Sequence, residues 1–150
     1  MNDQFKAYVE SLPSRFDQLV AMPPTSIESR PRHLPKQCVY LFSESSFHLY
    51  VGRTNNLRQR LGNHSNPSSK QNQAVLAFKL AEQQTGKKRG GSRRSMLDDP
   101  EFAEAFRQSK ERVRRMDLRF VEETDQVRQA LLEIYVAIAL HTPYNDFETH

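Results

Sequence analysis

The sequence has a single cysteine, Cys38, among its 150 residues. One cysteine excludes an internal disulfide and a cysteine-rich zinc site. Its histidines do not show the His-Glu-x-x-His spacing of a zinc-dependent hydrolase. A zinc site made of histidines stays open at this point. The five histidines are His33, His48, His64, His141 and His150.

The sequence also lacks an uninterrupted apolar run of membrane-spanning length. Its first six residues do not have the pattern of a signal peptide. With 37% apolar and 27% charged residues, the composition predicts a soluble globular protein. We therefore expect a cytoplasmic location and no membrane partner.

Positive charge is concentrated in one segment of a chain whose net charge is +4. Residues 87–94 hold five basic residues around a glycine pair. A cluster of this kind can neutralise backbone phosphates and bind nucleic acid without regard to sequence. An ordinary solvated loop has the same composition, so charge alone does not decide between the two. The basic residues assigned to substrate binding here are Lys87, Lys88, Arg89, Arg93 and Arg94.

The first half of the chain predicts a helical segment followed by a hairpin. Apolar spacing indicates helix over residues 1–22, which Pro13 should kink or split. Four prolines make residues 23–37 an extended connector. Two β-prone runs, 38–42 and 48–52, then predict an antiparallel hairpin.

The register of this hairpin matters because each strand carries a tyrosine. A five-residue loop would place Tyr40 opposite Tyr50, and a slip of one residue would separate them. Alternation puts Val39 and Leu41 on the other face, with Leu49 and Val51 as their partners.

Thr54-Asn55-Asn56 predicts the N-cap of a helix that follows the hairpin. The rest of the sequence predicts three more helices and one strand. The order predicts an α/β fold of the α+β type, a small three-stranded antiparallel sheet flanked by helices. The helices and the strand are expected near residues 57–64, 74–84, 98–115, 116–121 (the strand) and 127–140. Gly86 is expected to end the second of these helices, and Asp98-Asp99 and Thr124-Asp125 are expected to cap the next two. One domain is expected, divided into an N-terminal helical extension (1–22), a connector (23–37), the hairpin and its helix (38–65), a helical basic insertion (66–115), and the third strand with the last helix and tail (116–150).

Glu133 is the only carboxylate in the apolar run of residues 131–140. The run is apolar nearly all round, which predicts burial on several faces. A buried carboxylate needs a partner charge, hydrogen bonds or a metal ion. Alternatively, Glu133 shares a solvent-facing side with Gln126 and Gln129.

The spacing of the chemical groups is more specific than any one of them. Cys38-Val39-Tyr40 is followed ten residues later by Tyr50-Val51-Gly52, and then by a helix with Arg60 and His64 one turn apart. This arrangement resembles the GIY-YIG nuclease family, whose later helix supplies a metal-binding glutamate, with an asparagine beyond it. The resemblance covers roughly residues 36–147, and residues 66–115 match poorly. Cys38 stands where the family has its first glycine.

The resemblance implies a metal-dependent endonuclease that hydrolyses DNA phosphodiester bonds, with one Mg²⁺ or Mn²⁺ ion bound by Glu133. It implies that Arg60 clamps a phosphate oxygen and that Tyr50 positions water or phosphate. Tyr40 and His64 remain alternatives for the proton acceptor. The positions assigned to catalysis are Tyr40, Tyr50, Arg60, His64 and Glu133. Arg53 and Asn145 are assigned to substrate binding, although Asn145 is expected to fix the C-terminal tail instead.

The sequence leaves the biological role of such a nuclease open. It has no helix-turn-helix or zinc-finger pattern, so restriction-like, repair-like, homing and toxin roles are all compatible with it. Specificity would come from residues 66–115, the N-terminal helices, a homodimer or a partner protein. A catalytically silent nucleic-acid-binding module of the same fold is the alternative, and Cys38 favours it slightly.

Overall fold

A computed structural model describes residues 1–87 and 91–147. The three strands form one antiparallel sheet in the order β2–β1–β3, and helices flank it. The predicted fold class is therefore confirmed. The elements are α1 (Asp3–Ala21), β1 (Cys38–Glu44), β2 (Phe47–Thr54), α2 (Leu57–Ser65), α3 (Val75–Thr85), α4 (Arg93–Met96), α5 (Pro100–Arg115), β3 (Asp117–Glu122) and α6 (Gln126–Leu140).

The chain divides into two compact units. The first consists of residues 1–25, residues 29–58 and the chain from residue 117 onward, and it holds α1, the sheet and α6. The second consists of residues 26–28 and 59–116, and it holds most of α2 together with α3, α4 and α5. The expectation of one domain stays a prediction.

The core of the first unit lies where α1 and α6 pack on one face of the sheet. Val39 and Leu41 of β1 are fully buried on that face, and Leu41 pairs with Val51 rather than with Leu49, the partner that the predicted register gives it. Removing such side chains from water is the main term that stabilises the unit.

Helix α1 is continuous, so of the predicted kink or split at Pro13 the split is wrong. Proline has no backbone N–H, and the carbonyl of Val9 therefore loses its usual helical partner. Pro13 and Val9 both lie on the exposed side of α1, where water can take the place of that partner.

The β1–β2 hairpin is tighter than predicted. Its turn consists of Ser45 and Ser46, both with positive φ (52° and 69°), as in the two-residue turns that match strand twist. The register then shifts between Phe42 and Ser43, because β2 contributes one residue more than β1 there. The extra residue, Leu49, forms a β-bulge.

This bulge decides where the tyrosines lie. Tyr40 pairs with Gly52, and Tyr50 pairs with Phe42, so the predicted pairing of Tyr40 with Tyr50 is wrong. A displacement of two residues keeps side chains on the same face. Both tyrosines therefore share the face of the sheet opposite Leu41.

The second unit has its own aromatic core. Phe78 of α3 packs edge-on against Phe102 and Phe106 of α5, with ring centroids 5.0 Å and 5.9 Å apart. Gly86, with a φ of 68°, ends α3 as its position predicted. Asp99 caps α5 by accepting a hydrogen bond from the Glu101 amide, also as predicted.

Helix α6 begins as predicted, with the Asp125 side chain accepting hydrogen bonds from two amides of the first turn. The predicted burial of residues 131–140 on several faces is wrong, because Ile134 and Ile138 are exposed. Only the side of α6 that faces the sheet and α1 is covered. Among the described helices, α6 included, none has the length and apolar character needed to cross a membrane.

Candidate active site

Tyr40 is held against the backbone of the neighbouring strand. A Cβ atom placed on Gly52 would lie 2.3 Å from both Cζ and Oη of Tyr40, far inside van der Waals contact. The Tyr40 side chain is only 1% exposed. Gly52 is therefore the residue that makes room for the ring and fixes its position.

Tyr50 lies beside Tyr40 on the same face. Their ring centroids are 6.5 Å apart, and Phe42 packs edge-on to Tyr40 at 5.7 Å. The structure thus brings the two predicted tyrosines together. They are diagonal neighbours on adjacent strands, offset by two residues, rather than directly paired.

Arg53 at the end of β2 pairs with Glu133 of α6. Arg53 Nε lies 3.4 Å from Glu133 Oε1, and the two side chains are 44% and 21% exposed. The lone carboxylate of α6 is therefore accessible to solvent and lies next to a guanidinium. The sequence assigned these residues to separate roles and did not anticipate their contact.

Gln129, one helical turn before Glu133, is a residue that the sequence analysis missed. Its buried side chain donates from Nε2 to the carbonyls of Thr54 and Glu123, both at 3.1 Å. These bonds tie the first turns of α6 to the end of β2, where Arg53 lies. The alternative of a solvent-facing row of Gln126, Gln129 and Glu133 is therefore wrong for Gln129. Its spacing of three residues from the apolar Leu132, which is buried, was the available signal.

Among the described residues of this unit, the buried carboxylate is Glu123, not Glu133. Glu123 is 2% exposed and forms ion pairs with Arg128 at 3.4 Å and with Arg15 at 3.7 Å. It also accepts a hydrogen bond from the amide of Asp125 at 3.0 Å. These contacts join α1 to the start of α6, so Glu123 supports the fold.

Asn145 forms two hydrogen bonds with Val51 on the outer edge of β2. Its Oδ1 accepts from the Val51 amide at 2.9 Å, and its Nδ2 donates to the Val51 carbonyl at 2.7 Å. The Tyr144 amide donates to the carbonyl of the bulged Leu49 at 3.2 Å. These bonds fit a residue that fixes the tail on a sheet edge. A contact of Asn145 with substrate stays a prediction.

Arg60 and His64 lie one turn apart on α2, in the second unit. Arg60 is exposed, whereas His64 is 1% exposed. Burial, and secondarily the charge of Arg60, lower the pKa of His64 to about 3. The imidazole is therefore neutral at physiological pH and a weak base.

This burial predicts a dependence of stability on pH. His64 has a pKa of about 3 in the folded chain and about 6.5 when unfolded. Between these values the unfolded chain binds a proton that the folded chain does not. The free energy of unfolding should therefore fall as the pH drops below about 6.5, by up to about 1.4 kcal/mol per pH unit.

Urea unfolding of the wild type and of His64→Gln, at about pH 7 and about pH 5, measures this contribution. We expect the variant to lose less stability than the wild type between the two conditions. All other titrating groups are common to both chains and cancel in the comparison. An equal loss in both proteins would show that His64 is not the source.

The basic segment divides into residues of different kinds. Lys87 forms ion pairs with Asp99 and with Glu101, which offset its charge. Arg93 lies over the ring of Phe78, with 5.5 Å between its Cζ and the ring centroid, and Arg94 is exposed. The other two predicted residues, Lys88 and Arg89, lie outside the described residues.

Glu133 has few protein side chains beside it in the described chain that could share a metal ion. Over residues 1–87 and 91–147 there is no group of three or more His, Cys, Asp or Glu side chains that could hold a metal ion. A site at Glu133 therefore offers one partly exposed carboxylate, which leaves room for water and phosphate oxygens as the other ligands.

The chain matches the model of a known protein family. The family model of the GIY-YIG catalytic domain matches residues 36–145. The comparisons with curated proteins and with solved structures gave no match. The matched region includes both tyrosine strands, α2 and α6, and spans more than half of the chain. With its two tyrosines side by side on a three-stranded antiparallel sheet, the chain belongs to the GIY-YIG nuclease family.

Proposed function

We propose that this chain is a divalent-metal-dependent endonuclease that hydrolyses DNA phosphodiester bonds. Family membership supports a nuclease that acts on nucleic acid. The observation that carries the finer proposal is the contact between Arg53 and Glu133 at 3.4 Å. In this contact a carboxylate that could bind a metal cation lies next to a guanidinium that could bind a phosphate.

Glu133 fits one Mg²⁺ or Mn²⁺ ion. Mg²⁺ dehydrates reluctantly and is usually held by one or two carboxylates together with waters and phosphate oxygens. A partly exposed single carboxylate meets that requirement, whereas a structural zinc ion needs four protein ligands. When bound, the ion would supply positive charge to offset the charge that develops on the leaving oxygen.

The two arginines have different roles in this proposal. Arg60 is exposed, and its planar guanidinium suits two-pronged contact with the non-bridging oxygens of the scissile phosphate. Arg53 orients the Glu133 carboxylate through their ion pair and adds positive charge beside it.

Tyr40 is the better candidate for the proton acceptor. Its phenol is held in one position against Gly52. His64, the alternative, has a pKa of about 3 and takes up a proton poorly at neutral pH. We assign Tyr50, beside Tyr40, to positioning the attacking water or the phosphate.

The alternative, a catalytically silent nucleic-acid-binding module, was favoured by the presence of Cys38 in place of the family glycine. Cys38 is fully buried in the central strand, where burial raises the pKa of its thiol to about 12. It packs as a small apolar residue. The close approach that requires a glycine is at Gly52, which the chain retains.

Nicking of a supercoiled plasmid with Mg²⁺ or Mn²⁺ tests the proposal. We expect the wild type to produce nicked and linear forms, and Arg60→Ala to be slower by about a hundredfold, as when one charge-stabilising donor is removed. Arg58→Ala is the matched control, because Arg58 lies on the same helix and donates to the Arg32 carbonyl at 3.0 Å. A wild type that binds the plasmid but never nicks it would support the silent module.

A further inference from the structure

Positive charge is distributed unequally between the two units. The second unit, residues 26–28 and 59–116, contains thirteen Lys and Arg against seven Asp and Glu. The first unit, which carries the tyrosines and Glu133, contains nine against eleven. The excess positive charge, which would attract a polyanion, therefore lies in the second unit.

The second unit has a pocket of about 300 Å³ lined by Gln71, Asn72, Ser92, Arg93 and Arg94. All five side chains carry hydrogen-bond donors, and none is a carboxylate or an apolar group. A pocket with two guanidiniums and no acidic wall suits an anionic ligand.

One arginine of the pocket is held in place by the core. The Arg93 guanidinium lies 5.5 Å from the centroid of Phe78, whose ring is fully buried. Stacking of this kind favours the cation and restricts its rotamers. Arg93 is therefore a preorganised donor rather than a mobile surface charge.

The two side-chain amides of the pocket, those of Gln71 and Asn72, lie on a turn. The Gln73 side chain accepts a hydrogen bond from the Lys70 amide at 2.9 Å, and the Gln73 amide donates to the Lys70 carbonyl at 3.0 Å. Gln71 and Asn72 occupy the central positions of this turn. Neither of their side-chain amides is hydrogen-bonded within the described part of the chain, so both are available to a ligand.

We propose that this pocket binds one nucleotide of the nucleic acid substrate, through residues other than those proposed to cut it. Arg93 and Arg94 contact its phosphate, where planar guanidiniums bind in two-pronged fashion. Gln71 and Asn72 contact the edge of its base, since side-chain amides pair a donor and an acceptor with adenine in particular. The pocket gives the chain its sequence preference. This inference rests on the proposed function for the identity of the ligand as DNA.

Binding of fluorescein-labelled duplex DNA to the full chain in EDTA tests the phosphate contact without any cleavage. Fluorescence anisotropy gives Kd over a range of salt concentrations. We expect Arg94→Ala to reduce the slope of log Kd against log salt by about one for every duplex. Arg107→Ala is the matched control, because it removes the same charge from the same unit outside the pocket, where Arg107 is paired with Glu104. An equal effect of the two variants would overturn the proposal.

The base contact has a separate readout. The wild type is first used to select tightly bound duplexes from a random pool. The double variant Gln71→Ala, Asn72→Ala should keep the wild-type salt slope. Its ratio of Kd between unselected and selected duplexes should be lower than that of the wild type by about tenfold or more. Unchanged discrimination would overturn this part of the proposal. Both measurements are independent of cleavage. If the wild type fails to nick DNA but Arg94→Ala lowers the salt slope as expected, the nuclease proposal is wrong and the pocket proposal stands. If the wild type nicks DNA and Arg94→Ala leaves the slope unchanged, only the pocket proposal is wrong.

Discussion

Replacing Glu133 by glutamine is expected to abolish DNA cleavage and to leave DNA binding intact. Glutamine keeps the shape of the side chain but lacks the charge that a divalent cation needs. Because a metal ion acts mainly on charge that develops in the transition state, the rate should fall by about a thousandfold or more. Arg53 would lose its partner, but at 44% exposure its guanidinium remains hydrated and available to phosphate.

Two measurements on the same preparation check this expectation: the initial rate of plasmid nicking with Mg²⁺, and a gel shift of labelled duplex. Glu104→Gln is the matched control, because it makes the same chemical change in another Arg–Glu pair, that of Arg107 and Glu104. We expect it to cut at the wild-type rate. Parallel loss of binding and cutting in Glu133→Gln would show that Glu133 holds the fold or the substrate instead.

Replacing Gly52 by alanine should have the second-largest effect. The added methyl group would overlap Tyr40, whose Cζ, Oη and Cε1 atoms lie 2.3, 2.3 and 2.8 Å from its position. The ring is buried and must shift within the core, so we expect a loss of about 1–3 kcal/mol in the free energy of unfolding. Displacement of the Tyr40 hydroxyl should also slow cleavage by about a hundredfold.

A double-mutant cycle identifies the cause of this loss. In a Tyr40→Ala background the clashing atoms are absent, so Gly52→Ala should then cost little stability. Gly62→Ala provides the control, because a Cβ there meets only the end of the Asn66 side chain, at 3.3 Å, and alanine favours a helix. If Gly52→Ala were equally destabilising in both backgrounds, the ring contact would not be the reason for this glycine.

Local chemistry made several elements predictable. Asp99 before Pro100 and Asp125 before α6 satisfy amides that any helix start leaves without partners. Gly86 adopts the positive φ that other residues avoid. Each of these outcomes depends on a few neighbouring residues, and so the sequence alone predicted them.

Side-chain environments at the site were less predictable, since they depend on partners far along the chain. The sequence left open whether Glu133 is buried or faces solvent; it is partly exposed and pairs with Arg53, eighty residues earlier. Glu123 is buried instead, because arginines from α1 and α6 both reach it. No periodicity within α6 carries that information.

The sequence by itself determined the fold class and the family, because both follow from the order of elements and from the spacing of Tyr40, Tyr50 and Arg60. Only the tertiary structure decided the environment of each group. The bulge in β2 set Tyr40 against Gly52, and burial lowered the pKa of His64 to about 3. The physical reason is that desolvation and steric contact depend on what other segments place around a residue, whereas helix caps and strand alternation depend on its neighbours in the chain.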